Sequence, residues 1–262
     1  MFRYLKLFFA LFRYSLTREL MFKANFILWV VVEFAWFGIQ LALVEVIFAH
    51  VSEVAGWNKY EMILLIGTSH FIQQVFQFVF LINCVELPDQ VRTGKLDFLL
   101  LQPANSQFLV SIRKFDLGTL VNSSIGLSFV IYAAWKLNLK PTFTQIGLFA
   151  ALVFNGVFIH YALMLAVVTL SFWIVRTQGL VYGYYNLFQI TRIPREAFKG
   201  SIKFIFTFVL PMLVVANYPA GVLARGVQGS GILWVFVLTA ALVFLASLWF
   251  RFALRFYTSA SS

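Results

Sequence analysis

The chain has 262 residues, of which 61% are hydrophobic, 19% aromatic and only 11% charged, with a formal net charge of +10. Water-soluble domains have about a quarter of their residues charged and about half apolar. This composition therefore excludes an ordinary soluble domain and predicts an integral membrane protein. The single cysteine, Cys84, excludes an internal disulfide and a zinc site made only of cysteines.

Residues 1–23 are predicted to form an amphipathic helix at the membrane surface. Aromatic and aliphatic residues recur there with a helical period, opposite Arg3, Lys6, Arg13 and Arg18. A helix of this kind lies in the membrane interface, where its cations contact anionic headgroups. Because cations interrupt the apolar run and no small-residue cleavage site follows, the segment is not a signal peptide.

Residues 24–257 are predicted to form one all-α membrane domain with six spans. A span needs about 20 mainly apolar residues. The segments that meet this requirement are residues 25–49, 60–85, 115–135, 143–174, 202–220 and 232–254. The fifth contains Pro211 and Pro219, which predicts that it is broken into two half-helices or a re-entrant pair. Residues 258–262 are predicted to be a disordered tail.

The distribution of cations predicts the orientation in the membrane. Sixteen Lys and Arg residues lie in residues 1–23, 86–114 and 176–203 and in the C-terminal tail. The other side carries Lys59, Lys136, Lys140 and Arg225. Because cytoplasmic loops carry an excess of Lys and Arg, both termini are predicted to face the cytoplasm. The expected location is a bacterial inner membrane. Loop 177–200 would then lie at the cytoplasmic interface, with its tyrosines at headgroup depth.

Polar side chains inside the first two spans are candidates for function. They are Glu33, Gln40, Gln73 and Gln77. A carboxylate near the middle of a bilayer is costly, so Glu33 is predicted to face a protein interior or a wet cavity. Two interpretations stay open: these side chains line a transport pathway or a subunit interface, or they only hold helices together through hydrogen bonds.

A polar segment, ELPDQVRTGKLDFLLLQP, separates the second and third spans at residues 86–103. Gly94 permits a tight turn there. Leu96, Leu99 and Leu100 recur at helical spacing and are predicted to form an apolar docking stripe. Pro103 ends the element.

The sequence contains no nucleotide-binding loop. The Gly-Lys pair at residues 94–95 lacks the P-loop pattern, because Asp89 stands where a glycine is needed and Leu96 where Ser or Thr is needed. The three histidines are isolated from carboxylates at ligand spacing, so no metal site is predicted. Work that consumes ATP would need separate subunits.

The order of these parts resembles the permease subunits of ABC-2 type ABC transporters, in particular a branch with a G-x-L-D-x-L-L-x-x-P loop. The resemblance rests on the interfacial helix, the six spans, that loop, and the sequence FVLPMLVVANYPA at residues 208–220. It implies that residues 86–110 form a coupling loop that docks on a cytoplasmic ATP-binding subunit. The coupling residues it implies are Arg92, Gly94, Leu96, Asp97, Leu99, Leu100 and Pro103. The markers it implies for the broken fifth span are Pro211, Asn217, Tyr218 and Pro219.

The resemblance also implies partners and a function. Two cytoplasmic ATP-binding subunits would hold ATP and Mg, and this chain would hold no cofactor and catalyse no reaction. A second copy or a similar permease would complete the pathway among membrane lipids, and nucleic acid would have no part. The predicted function is export of a hydrophobic or amphipathic substrate. Two alternatives stay open: an ion-coupled secondary transporter with Glu33 at its ion site, or a structural membrane subunit of a larger complex.

Overall fold

The structure is a computed structural model that describes residues 2–20, 23–174, 177–226 and 231–258. Throughout these ranges the chain is built from helices and their connections, as the sequence predicts for an all-α fold. Residue 1, residues 21 and 22, residues 175 and 176, residues 227–230 and residues 259–262 lie outside the described residues. The predicted interfacial helix and the predicted tail lie partly outside the described residues. Arg176, one of the cations used to predict the orientation, also lies outside them.

The helices follow one another in a simple order. They are α1 (Phe2–Leu20), α2 (Lys23–Phe48), α3 (Lys59–Phe76), α4 (Ile82–Cys84), α5 (Leu87–Arg92), α6 (Leu96–Leu100), α7 (Ser106–Ser111), α8 (Leu117–Lys136), α9 (Phe143–Thr169), α10 (Gln178–Leu187), α11 (Gly200–Phe204), α12 (Met212–Arg225) and α13 (Leu233–Ala253). Several continue into short irregular turns. The π-helical segment Gln77–Leu81 joins α3 to α4, the 3-10 segment Phe188–Arg192 extends α10, and the π-helical segment Ile205–Val209 extends α11.

The long helices begin at polar caps that the sequence supplies. Asn58 caps α3, and Glu61 returns the bond to the Asn58 backbone, which completes a capping box. Thr142 and Gln145 form the same arrangement at the start of α9. Asp116 caps α8 by accepting from the backbone N–H of Thr119. These caps satisfy N–H groups that the apolar helix interiors would otherwise leave without partners.

Within the described residues, five helices are long and apolar enough to cross a membrane. They are Val30–Phe48, Lys59–Arg92, Leu117–Lys136, Phe143–Phe172 and Leu233–Phe256. Each coincides with a predicted span to within a few residues at most ends, and the second runs on through the π-helical segment to Arg92. The bent pair Gly200–Val209 and Met212–Arg225 makes a sixth if it is counted as one span.

The fifth predicted span is broken, but at only one of its two prolines. The pair bends by 85° at residues 210–211, where Pro211 stands directly before α12. Pro219 lies inside α12, so the prediction that it marks the break is wrong. A helix tolerates Pro219 when the carbonyl that loses its bond is accommodated elsewhere. That carbonyl belongs to Val215 and lies against Gly156 of α9, where an added Cβ would be 3.1 Å from its oxygen.

Helix α3 is the centre of the bundle and packs on α8, α9 and α12, while α9 also packs on α13. A close approach joins Gly67 of α3 to Gly126 of α8, because neither residue has a side chain to hold the backbones apart. Helix α2 is the least enclosed of the long helices. Only 11% of its most apolar stretch is buried inside the bundle.

The two ends of the bundle can be told apart by what lies there. We call the end that carries residues 86–114 the proximal end, and the end that carries Trp57 the distal end. At the distal end the indole Nε1 of Trp57 donates to Glu196 Oε2 at 3.0 Å, and Arg225 Nη2 donates to the carbonyl of Gly56 at 2.8 Å. The chain has therefore reached the distal end at Glu196, before the predicted fifth span begins at residue 202.

This path corrects the predicted loop 177–200. Helix α10 and its 3-10 extension run along the bundle from the proximal end of α9 to the distal end. Tyr184 is buried, and its hydroxyl donates to the His160 carbonyl at 3.1 Å and contacts His160 Nδ1 at 3.0 Å. Of the three tyrosines of this loop, Tyr182 is strongly exposed and Tyr185 is partly buried. The prediction of an interfacial loop is wrong because this stretch packs its apolar side chains, such as Phe188, into the core.

Candidate functional site

The connecting segment, residues 86–110, is folded at the proximal end as the short helices α5, α6 and α7. Gly94 separates α5 from α6 and has a φ of 72°, a left-handed conformation that glycine adopts without strain. Asn105 caps α7 by accepting from the backbone N–H of Phe108. The segment is therefore a compact folded unit, and its exposed residues are presented in a defined arrangement.

The predicted leucine stripe points largely inward. Leu96 is fully buried and Leu99 is 5% exposed, and both belong to the core of the bundle. Only Leu100 is exposed among the three. The prediction that all three form a docking stripe is therefore wrong for Leu96 and Leu99, because helical spacing defines a stripe but does not say whether it faces the protein itself or a partner.

The exposed apolar surface of the connecting segment is formed by other residues. Phe98 is 72% exposed and Leu101 is 82% exposed, with Leu100 between them. Large apolar side chains grouped on a surface mark a site of protein or membrane contact. We call Phe98, Leu100 and Leu101 the proximal patch. The sequence indicates this patch through the run F-L-L-L at residues 98–101. Its residues on the side opposite the buried face of α6 are also apolar.

Arg92 and Asp97, two of the predicted coupling residues, have charged or polar neighbours within the chain. Arg92 forms an exposed ion pair with Asp89, with Nη2 and Oδ1 at 2.7 Å. Asp97 contacts Tyr257 just beyond the last helix. Burial and the neighbouring Asp97 carboxylate raise the pKa of the Tyr257 hydroxyl to about 12. Asp97 therefore places α6 beside the C-terminal end of the bundle, and Pro103 is exposed after α6.

A polar clamp connects the end of the α3 span to the start of α8. Buried Asn83 accepts from the backbone N–H groups of Arg113 at 3.2 Å and Lys114 at 2.8 Å, and it donates to the Lys114 carbonyl at 2.8 Å. Glu86 forms ion pairs with the side chains of the same two residues, at 2.6 Å to Arg113. The clamp therefore fastens the connecting segment to the ends of both helices.

Helix α1 packs against the same region. Ser15 is buried and accepts from the backbone N–H of Phe115 at 3.1 Å. The rings of Phe8 and Phe12 contact that of Phe115 edge to face, with centroids 5.0 and 5.6 Å apart. Nearer its N-terminus, Tyr4 accepts from the backbone N–H of Asn105 at 3.2 Å. The predicted interfacial helix thus supports the connecting segment from one side.

A second polar group lies inside the bundle, between α2, α3 and the extension of α10. Arg192 Nη2 donates to Gln73 Oε1 at 2.9 Å. Glu33 lies within electrostatic range of Gln74 and Arg192. The hydroxyls of Ser69 and Thr191 are 2.5 Å apart and hold the extension of α10 against α3. Glu33 and Gln73 therefore belong to one group, as the sequence allowed, with Arg192 as a member that the sequence analysis assigned to a loop.

Gln40 and Gln77 contribute less to this arrangement. Both are half-buried, and over the described part of the chain no hydrogen bond joins either of them to Glu33, Gln73 or Arg192. Gln77 instead begins the π-helical segment that follows α3. A signal for Arg192 was available in the sequence, because residues 177–191 carry no charge and are long enough to continue through the bundle.

A cleft of about 430 Å³ lies at the distal end, between the connection of α2 to α3 and the start of the α12–α13 connection. The guanidinium of Arg225 lies 4.6 Å from the ring centroid of Trp57, and that of Arg195 lies 5.2 Å from that of Tyr218. Asn217 accepts from the backbone N–H of Arg195 at 2.8 Å and donates to the Ile193 carbonyl at 3.1 Å. Asn217 and Tyr218 therefore fasten α12 to the stretch after α10, and neither forms the break.

Comparison with known proteins identifies the family. A family model described as "ABC-2 family transporter protein" matches residues 34–261, which include the connecting segment, the bent pair and α13. Comparison with curated proteins gives no match, and comparison with solved structures gives none either. With a match over most of its length and with helices suited to cross a membrane, the chain belongs to the ABC-2 family of transporter proteins and is a multi-pass membrane permease of that type.

Proposed function

We propose that the chain is the permease subunit of an ATP-driven exporter, moved by separate cytoplasmic ATP-binding subunits through its connecting segment. The observation that carries this proposal is the proximal patch, since Phe98 and Leu101 are the most exposed apolar side chains of a segment that is otherwise packed and clamped. An apolar patch on a rigid support is suited to a partner's groove. ATP and Mg would be held by the partner subunits.

The clamp gives this proposal a mechanical basis. ATP binding and hydrolysis in the partner would move the proximal patch, and Asn83 and Glu86 would carry that movement to the ends of α3 and α8. ATP can shift the conformational equilibrium of the permease only if the ATP-bound subunit binds one arrangement of the connecting segment more tightly than the other. Helix α1, packed on Phe115, would move with the same unit.

The proposed topology has six crossings, of which the fifth is the stretch from Thr177 to Glu196. The bent pair of α11 and α12 would then be a re-entrant hairpin at the distal end, and α13 would return the chain to the proximal end. The number of crossings is still even, so both termini stay at the proximal end, which we assign to the cytoplasm. Two of the 20 cations are left out of this count: Arg176, which lies outside the described residues, and Arg192, which lies inside the bundle. By position along the chain, eleven of the others support that assignment against seven at the distal end.

Cysteine labelling tests this topology. Lys199 is exposed after the distal turn, and Lys95 is exposed in the connecting segment. The native Cys84 is buried and would not react. In intact cells, Lys199→Cys should react with a membrane-impermeant maleimide, whereas Lys95→Cys should react only after permeabilisation. If Lys199→Cys also requires permeabilisation, then residues 177–200 form a cytoplasmic loop and the proposed fifth crossing is wrong.

The proposed exporter would be a pair of permeases that handles an amphipathic cargo. Helix α2 leaves most of its apolar surface outside the bundle, with Val31, Phe34 and Trp36 exposed. A second copy or a similar permease would cover part of that surface, and lipid the rest.

The experiment that tests the function is purification of the chain from its membrane in a mild detergent, in which an ATP-binding subunit should copurify.

A further inference from the structure

Arg192 is a buried cation with most of its hydrogen-bonding capacity unused. Its side chain is 8% exposed, and within the described residues its Nε and Nη1 have no hydrogen-bond partner. Only Nη2 is engaged, with Gln73. A buried guanidinium without partners is costly, so native proteins retain one where it is paired, hydrated or in contact with a ligand. An ionisable residue inside a membrane domain is for this reason a candidate functional site.

The surroundings of Arg192 are polar and also incompletely paired. His70 and Gln74 of α3 are buried, with the His70 ring 4.7 Å from that of Phe37, and in the part of the chain that the structure describes His70 Nε2 and Gln74 Oε1 lack partners. His70 lies within electrostatic range of Arg192. Unpaired buried atoms concentrated at one place indicate a site that takes up water or a polar group. The charged donor at its centre selects an anion.

Arg192 is held in position by contacts on both sides of it in the chain. Thr191 contacts Ser69 at 2.5 Å, and Asn217 binds the backbone of Ile193 and Arg195. The guanidinium is therefore presented by a fixed backbone, and a fixed donor loses little freedom when an anion binds.

Glu33 is the resident counter-charge of this group, and it is more weakly held. It lies on α2, the least enclosed of the long helices, and is only half-buried. Glu33 lies near Gln74 and Arg192, while the guanidinium of Arg192 donates to Gln73. Within the described residues no direct ion pair joins Glu33 to Arg192, so an incoming anion would compete with the charge of Glu33 and would not have to break a packed ion pair.

We propose that Arg192, with Gln73 and His70, binds the anionic group of an amphipathic molecule inside the bundle, and that Glu33 competes with it for the same guanidinium. The group is of the phosphate or carboxylate class, which matches the fork of N–H donors of arginine. This inference rests on the proposed function, because it places an anionic substrate in the pathway, although its test measures binding by the permease alone.

The test uses the full-length chain, purified in dodecyl maltoside and titrated with dodecyl phosphate, dodecanoate, dodecyltrimethylammonium or inorganic phosphate. The measured quantity is the rise in the thermal unfolding midpoint with probe concentration, which reports binding to the folded state. Dodecyl phosphate or dodecanoate should stabilise the wild-type chain, and dodecyltrimethylammonium should not. A response to inorganic phosphate that requires Arg192 would identify a free anion as the ligand, and a response to the alkyl probes alone would identify an amphipathic one.

Two variants should change binding in opposite directions. Arg192→Gln should weaken binding of dodecyl phosphate by about tenfold or more, since a charge-assisted bond is lost. Glu33→Gln should tighten it by about threefold or more, because the competing charge is removed. Lys203→Gln, an equal change in charge at an exposed site, should bind as the wild type does.

A purely structural role for Arg192 predicts a different pattern. If Arg192 and Glu33 only hold α2 to the bundle, both variants should destabilise the chain and leave the probe affinity unchanged, which would overturn the proposal.

If Arg192→Gln does not fold, Arg192→Lys replaces it, since lysine keeps the charge but lacks the forked N–H donors of arginine. This variant should bind dodecyl phosphate several-fold more weakly. An unchanged affinity in Arg192→Lys and in Glu33→Gln would refute the site. If no ATP-binding subunit copurifies with the chain, the proposed function is contradicted, but the binding of the probes by the permease alone is not affected.

Discussion

Replacing both Phe98 and Leu101 with aspartate should abolish copurification of the ATP-binding subunit while the chain stays in the membrane at its normal level. Both side chains are largely exposed, at 72% and 82%, so the substitutions remove no contact of the core. Anchors of an interface contribute about 2 kcal/mol or more each. Losing two should weaken docking by about a thousandfold, which a pull-down from detergent-solubilised membranes would detect as complete loss.

Matched controls separate docking from folding. Phe143→Asp changes the most exposed phenylalanine at the distal end and should leave copurification unchanged. Leu99→Asp buries a charge in the core and should lower the yield of folded protein, because an unpaired buried charge is strongly unfavourable. Normal copurification of the Phe98→Asp/Leu101→Asp variant would show that the proximal patch is not the docking surface.

The second large effect is expected at the contact between α3 and α8. In Gly126→Ala, the added Cβ would lie 2.7 Å from the backbone nitrogen of Phe71 and 2.9 Å from the carbonyl oxygen of Gly67. Both are backbone atoms, so no side chain can rotate away and the helices must separate. Overpacking of this kind costs about 1–3 kcal/mol, and occasionally more.

Thermal unfolding in detergent measures this effect. Gly126→Ala should lower the unfolding midpoint by several degrees and reduce the amount of folded protein. Gly147→Ala is the matched control, since Gly147 also lies in a long helix but an added Cβ meets nothing within 4 Å. Its expected effect is neutral or slightly stabilising, because alanine is the better helix former. Equal midpoints for the two variants would contradict the close helix contact.

Much of the fold follows from apolar length and polar caps. Four spans separated by polar residues, such as the Asn58 cap and the Lys136–Thr142 turn, are bounded by features that a sequence displays directly. The position of the connecting segment follows in the same way, from the polar stretch around Gly94 between two apolar runs. The bend at Pro211 could also be predicted, since proline at that position interrupts the bonding of the preceding turn.

The direction in which a helix faces could not be predicted from its spacing. Leu96 and Leu99 have the pattern of a docking stripe, and they are core residues because α6 packs down onto the bundle. Within a short amphipathic helix whose exposed side is also apolar, periodicity does not identify the buried face. The exposed Phe98 and Leu101 were therefore overlooked.

The path of residues 177–196 has only one weak signal in the sequence. Residues 177–191 carry no charge, but glycine, tyrosine and glutamine interrupt the apolar run that marks a span. The cation count treated Arg192 and Arg195 as loop residues. One is buried beside α3 and the other lies over Tyr218 at the distal end, because tertiary contacts, rather than local sequence, provide their partners.

The most direct test of coupling through the connecting segment replaces Leu101 with the photoreactive residue benzoylphenylalanine. The protein that this residue crosslinks in native membranes is then identified. Ile131, exposed on α8, supplies the control position. We predict that the probe at position 101 crosslinks an ATP-binding subunit and that the probe at position 131 does not. A native particle in which position 101 contacts only lipid, or in which no ATP-binding subunit is present, would contradict the proposal that this permease is driven through its connecting segment.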